Sequence, residues 1–132
     1  MAKDRQVCEM KGGRRAVLQG QDRLGTMVAG QAAFAARYFD VAKLTQAERE
    51  KWIKEMCLCV MVEATELLNE VNWKHWKRTQ KAMDTEQARF EIADLLCFLL
   101  NAAMLLGMDA ESLFQYFMRK CEINRERQAL NY

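Results

Sequence analysis

Apolar residues recur at helical spacing along most of this chain, and the strict alternation of a half-buried strand is absent. There is no proline, and helix formers dominate. That combination predicts an all-α domain, a bundle of four or five helices. A first helix is expected from about Leu24 to Phe39, with Met27, Phe34 and Tyr38 as core contacts, although Gly25 and Gly30 weaken it. A second opens with the capping box Thr45-x-x-Glu48 and runs to about Asn69. A charged, aromatic connector follows, Asn72 to Arg78. The third helix begins at Asp84 or Thr85 and stops at Gly107. Its apolar run, Leu95 to Met108, is broken by Asn101 and is too short to span a bilayer, so it reads as a buried helix. Asp109 caps a fourth helix, Ala110 to Ala129. Residues 1–22, with Gly12-Gly13 and Arg14-Arg15, read as a mobile or weakly docked arm, and 23–132 as one domain without repeats or linkers.

Two carboxylate pairs interrupt the apolar stripes. On the helical wheel, about 100° per residue, Trp52, Met56, Cys59, Glu63, Glu66 and Glu70 share one face. Glu91, Asp94, Phe98, Asn101, Ala102 and Leu105 share another. Acids on a core-facing stripe are costly to bury unless something positive neutralises them. Two readings follow: half-buried acids paired with Lys or Arg, or four acids facing one another around a hard cation, Mg²⁺ or alternatively Mn²⁺, which takes oxygen ligands. Glu70 continues the first stripe as a possible fifth ligand or base.

With 132 residues, 51% of them hydrophobic, the chain can bury a core. A net charge of +2 gives no electrostatic warrant for nucleic-acid binding. The five cysteines (Cys8, Cys57, Cys59, Cys97, Cys121) form no Cys-x-x-Cys and read as reduced thiols, mostly core filler. No apolar leader is visible, so a cytoplasmic protein without a membrane partner is expected.

Three further features stand out. Lys120, Asn124, Arg127 and Asn131 line one face of the last helix, either a solvated face or a phosphate clamp. Trp73-Lys74-His75-Trp76-Lys77 could cover a nucleotide or cap the bundle, and His75 reads as exposed or structural. Asn101, if buried, needs a hydrogen-bond partner from a ligand, a water or a neighbouring group.

These segments together resemble the dimeric all-α dUTPases, within the MazG-like nucleotide pyrophosphohydrolases. Glu63-Ala64-Thr65-Glu66-Leu67 resembles the E-A-x-E-L metal motif, and Glu91-Ile92-Ala93-Asp94-Leu95-Leu96 resembles E-L-x-D-I-L. Trp73 to Lys77 resembles W-K-x-W-K, and Lys120 to Tyr132 resembles K-N-x-x-N-x-x-R-Q-x-x-G-Y. Gln31-Ala32-Ala33-Phe34-Ala35 resembles Q-x-x-L-N. The resemblance implies Mg²⁺-dependent hydrolysis of dUTP, often also dUDP, with water attacking the phosphate chain. By position, Glu63, Glu66, Glu91 and Asp94 would hold metal, with Glu63 or Glu66 orienting the water. Lys120, Asn124, Arg127 and Lys74 would hold phosphates. Gln31, Trp73 and Trp76, with Asn101, would form the nucleotide pocket. The resemblance also implies a homodimer whose sites draw on both subunits. Ala35 stands where the family has asparagine, and Cys97 where many members have histidine. The base is therefore the open question, and dCTP or another nucleoside triphosphate is the alternative to dUTP. A helical nucleotide-binding regulator without turnover is the alternative of another class.

Overall fold

A computed structural model describes residues 22–130 of the chain. Residues 1–21 of the expected N-terminal arm, Cys8 among them, and Asn131 lie outside them. The described residues are helical: α1 (Arg23–Ala35), a short 3-10 turn (Val41–Lys43), α2 (Gln46–Glu70), α3 (Thr85–Leu105) and α4 (Ala110–Ala129). No single helix among them is long and apolar enough to cross a membrane.

Local chemistry sets the boundaries. The Asp22 carboxylate accepts from the Gly25 amide at 2.9 Å and starts α1. Thr45 and Glu48 close a reciprocal capping box at the head of α2, at 3.2 and 2.8 Å. Asp84 caps α3 through the Gln87 amide, and Asp109 caps α4 through Ser112. Helix α3 ends in a Schellman motif: Gly107 N–H donates to Met104 O and Met108 N–H to Ala103 O, both at 2.9 Å. Gly107 supplies the φ of +73° that this turn requires. Only α1 falls clearly short of expectation. It stops at Ala35 because the next amides close turns onto Phe34 and Ala35, and Asp40 then caps the 3-10 turn.

The main packing is α2 against α3, running antiparallel, with α1 laid across α3 and α4 meeting α1. Ala35, Phe39, Met56 and Leu105 form the buried cluster, flanked by Trp52, Ile53 and Phe98. Arg49 closes this end of the bundle. Its guanidinium donates to Leu105 O at 2.7 Å and to Val41 O at 3.2 Å, satisfying a carbonyl that the end of α3 leaves unpaired.

The inward face of α1 differs from expectation. Met27, Phe34 and Tyr38 are exposed rather than core. Ala35, the last residue of α1, turns inward instead, and Phe39 beyond the helix end joins it in the cluster with Met56 and Leu105. Phe34 stacks outside on Tyr38 and under Arg37. Cys57 is also exposed, whereas Cys59, Cys97 and Cys121 are half-buried, so core filler describes only part of the set. Much apolar surface is uncovered, including Met61 and Val62 on α2, Phe90 and Ile92 on α3, and Phe114 and Phe117 on α4.

Candidate active site

The antiparallel pairing of α2 and α3 brings the two acid motifs face to face. Carboxylate oxygens of Glu63, Glu66 and Glu91 all lie within 4.8 Å of one another. Glu91 is 4% exposed, Glu63 is half-buried and Glu66 is exposed, so the trio opens from the helix interface toward solvent. Asp94 is exposed and stands outside that trio, yet its charge reaches Glu63. The Glu63 carboxyl is pushed above the usual carboxylate range by burial first, then by Glu66, Asp94 and Glu91, and by a hydrogen bond shared with Glu91.

Cations could have compensated these acids, but they are placed elsewhere. The ion pairs among the described residues are Lys43–Asp40, Lys81–Glu70 and Arg89–Glu86, each at 3.3 Å. Glu70 pairs with Lys81 and is not among the three carboxylates that converge. What reaches the cluster is an amide: Gln87 Nε2 donates to Glu91 Oε1. Gln87 had drawn no notice in the sequence; its signal is the i, i+4 spacing to Glu91. Converging carboxylates with no ion-paired cation among the described residues suit a divalent cation of the hard class, and Glu63, Glu66 and Glu91 could hold one.

Cys97 sits one turn beyond Asp94. Burial, and then the Asp94 charge, push its thiol upward, so it stays protonated and weakly nucleophilic. Further along the same face, Asn101 is 7% exposed and accepts a hydrogen bond from Gln31 Nε2 at 2.9 Å. Two residues seventy positions apart are thereby joined. The partner Asn101 needs is thus a side chain on α1.

The connector is organised but open. Trp73 and Trp76 pack edge-to-face with centroids 5.6 Å apart, His75 packs on Trp76, and Lys74 reaches over the Trp73 ring. Trp73 and Lys74, with Asn72, Lys77 and Gln80, line a cleft of about 210 Å³. His75 is exposed, as expected. Lys120, Asn124 and Arg127 are all exposed on α4. No acid forms an ion pair with Lys120 or Arg127 among the described residues.

Comparison with known proteins adds family membership. The sequence profile of the family described as dUTPase matches residues 15–106, which takes in both acid motifs, the Gln31 segment and the connector but not α4. The chain is also similar to the dCTP pyrophosphatase of Enterobacteria phage T4, with 29% identity over 111 residues, covering 67% of this chain. It spans 65% of the length of that relative. No solved structure matches it. With its helices, its facing acid motifs and a profile match over well beyond half its length, the chain belongs to the all-α dUTPase family.

Proposed function

We propose that this protein is a nucleoside triphosphate pyrophosphohydrolase that converts dUTP to dUMP and pyrophosphate, with dUDP as a second substrate. The observation that carries this reading is the convergence of Glu63, Glu66 and Glu91 from two helices without a compensating cation among the described residues. Glu63, Glu66, Glu91 and Asp94 would hold Mg²⁺, or Mn²⁺ in its place. When bound, such an ion neutralises phosphate charge and acidifies water.

The chain's own groups supply the rest. Glu91, nearly buried and fixed by Gln87, is the rigid member of the set. Glu66, exposed at the mouth, or Glu63 beside it would orient the attacking water or take its proton. Lys120, Asn124 and Arg127 form the cationic and amide face that would receive phosphate oxygens, joined by Lys74. Gln31, Asn101, Trp73 and Trp76 would surround the nucleoside.

We further propose a homodimer. Met61 and Val62 on α2 and Phe90 and Ile92 on α3 are left uncovered, and bare apolar side chains on both paired helices are the surface a partner subunit would bury. Because the main partner of α4 within one chain is α1, a second subunit is the simplest source of a phosphate face opposite the acids. No nucleic acid or membrane is invoked, and the cytoplasm is the expected setting.

A product assay tests the chemistry. dUMP and pyrophosphate should form from dUTP with Mg²⁺, and not with EDTA or in Glu66→Gln. Full activity of Glu66→Gln would remove the assignment. Sedimentation equilibrium tests the dimer.

A further inference from the structure

The connector between the two acid-bearing helices is tied across its own base. Residues 71–84 hold no helix. Lys81 Nζ nevertheless donates to Glu70 Oε2 at 3.3 Å, and Asn72 Nδ2 donates to Lys81 O at 2.6 Å. Within the loop, Gln80 Nε2 donates to Lys77 O at 3.2 Å, and the Lys77 amide donates to Lys74 O at 3.0 Å. A loop of this length without secondary structure is either left loose or closed for a task. We infer that Glu70, Lys81 and Asn72 are positioning residues: they form a clasp that holds Trp73 and Lys74 in place for the nucleotide, and so set its affinity rather than the rate of the chemical step. This rests on the reading of the connector as part of the nucleotide pocket.

The Glu70 pair differs from the other ion pairs among the described residues. Lys43–Asp40 and Arg89–Glu86 join residues three positions apart, and all four side chains are more than half exposed. Pairs of that kind contribute little. Lys81–Glu70 spans eleven positions, and the Glu70 side chain is only 17% exposed. A carboxylate withdrawn that far from water loses more when its cation is removed.

Its place matters as much as its strength. Glu70 is the last residue of α2, one turn beyond Glu66, and Lys81 lies on the chain leading into α3. The clasp thus fixes the loop to the helices that carry the acids. Inside it, Lys74 reaches over the Trp73 ring at 5.2 Å, and Trp73 meets Trp76 edge to face. Asn72, Gln80 and Lys81 line the same cleft as Trp73 and Lys74. Opening the clasp therefore moves a wall of that cleft. A loop closed in advance does not have to be ordered when the nucleotide binds. Once the clasp is broken, affinity falls with the fraction of molecules that remain closed.

Trypsin reads the clasp without any nucleotide, because Lys74, Lys77 and Arg78 are cleavage sites inside the loop. Glu70→Gln and Asn72→Ala should each be cut there about fivefold faster than wild type, with the melting temperature kept. In both variants KM for dUTP and the calorimetric Kd for dUMP should rise about three- to tenfold, with kcat and Mg²⁺ affinity retained. Glu70→Gln combined with Lys81→Met should lose little more than either change alone. Asn72→Ala combined with Lys81→Met should multiply the losses, because Asn72 bonds the main chain at position 81. Unchanged cleavage in both variants overturns the proposal, as does faster cleavage with unchanged KM and dUMP affinity. Glu70→Gln that loses kcat and Mg²⁺ affinity at unchanged KM also overturns it, and makes Glu70 a metal ligand or base. A wild type that binds dUMP but hydrolyses no triphosphate overturns the hydrolase reading alone, and cleavage with dUMP affinity then decides the clasp. A wild type that neither binds dUMP nor hydrolyses dUTP overturns both.

Discussion

The two ends of the α2–α3 pair are built on opposite principles. At one end Met56, Leu105 and Phe39 exclude water, and Arg49 satisfies the last carbonyls. At the other, the same two helices press Glu63, Glu66 and Glu91 together with only the Gln87 amide in support. The first end gains free energy by burying apolar surface. The second spends it, because like charges in a half-buried site repel. Two helices long enough to carry both let the closed end hold the open end in register. A folded protein tolerates such strain where it serves a ligand.

Substitutions at the two ends should separate cleanly. Glu66→Gln should lower turnover by about a hundredfold or more, the scale of losing a group that acts in the transition state, while the apo protein melts no lower than wild type. Activity and melting temperature falling together would erase the contrast. Leu105→Ala, at a site with no exposed surface, should cost about 2–5 kcal/mol of stability and leave Mg²⁺ affinity within error in the folded fraction. Urea unfolding and metal titration check both halves. Arg49→Met removes two charge-assisted bonds to carbonyls and should cost about 1–3 kcal/mol, read the same way. Gly107→Ala forces a side chain into the left-handed region and should cost about 1 kcal/mol, again at the closed end only.

The acid end should also announce itself through pH. The folded protein raises the proton affinity of Glu63, so this group favours folding when protonated. Its contribution is fully present below the ordinary glutamate range and is lost as pH rises through the elevated value. Metal-free melting temperature should therefore decline across that window, and Mg²⁺ should restore it at neutral pH. Glu63→Gln should flatten the metal-free profile. A profile indifferent to both Mg²⁺ and the substitution would mean that the crowding carries no energy.

Helix boundaries were legible because they are written locally. Thr45 with Glu48, Asp84, Asp109 and Gly107 each mark an end with a single side chain or a single φ. The facing of the acid motifs was legible too, since each lay in line with apolar residues of its own helix. The inward face of α1 was not. A rule that sends aromatic rings inward chooses Phe34 and Tyr38, whereas the residue of α1 that turns inward is Ala35. Nor was the Gln31–Asn101 bond legible, because nothing local links residues on separate helices. Helices α2 and α3 carry apolar residues on more than one face, and a sequence does not say which face meets its own chain and which is left bare.

The three tryptophans are distributed between the ends. Trp52 is half-buried on Phe39, with ring centroids 5.0 Å apart, while Trp73 and Trp76 lie exposed in the connector beyond the acids. The protein thus carries two intrinsic fluorophore populations with different polarity. Unfolding of the closed end should shift the blue component belonging to Trp52, and a nucleotide bound at the connector, as proposed, should quench the red one. With Trp52→Phe only the connector emits, and a single cuvette then follows occupancy without reporting on collapse.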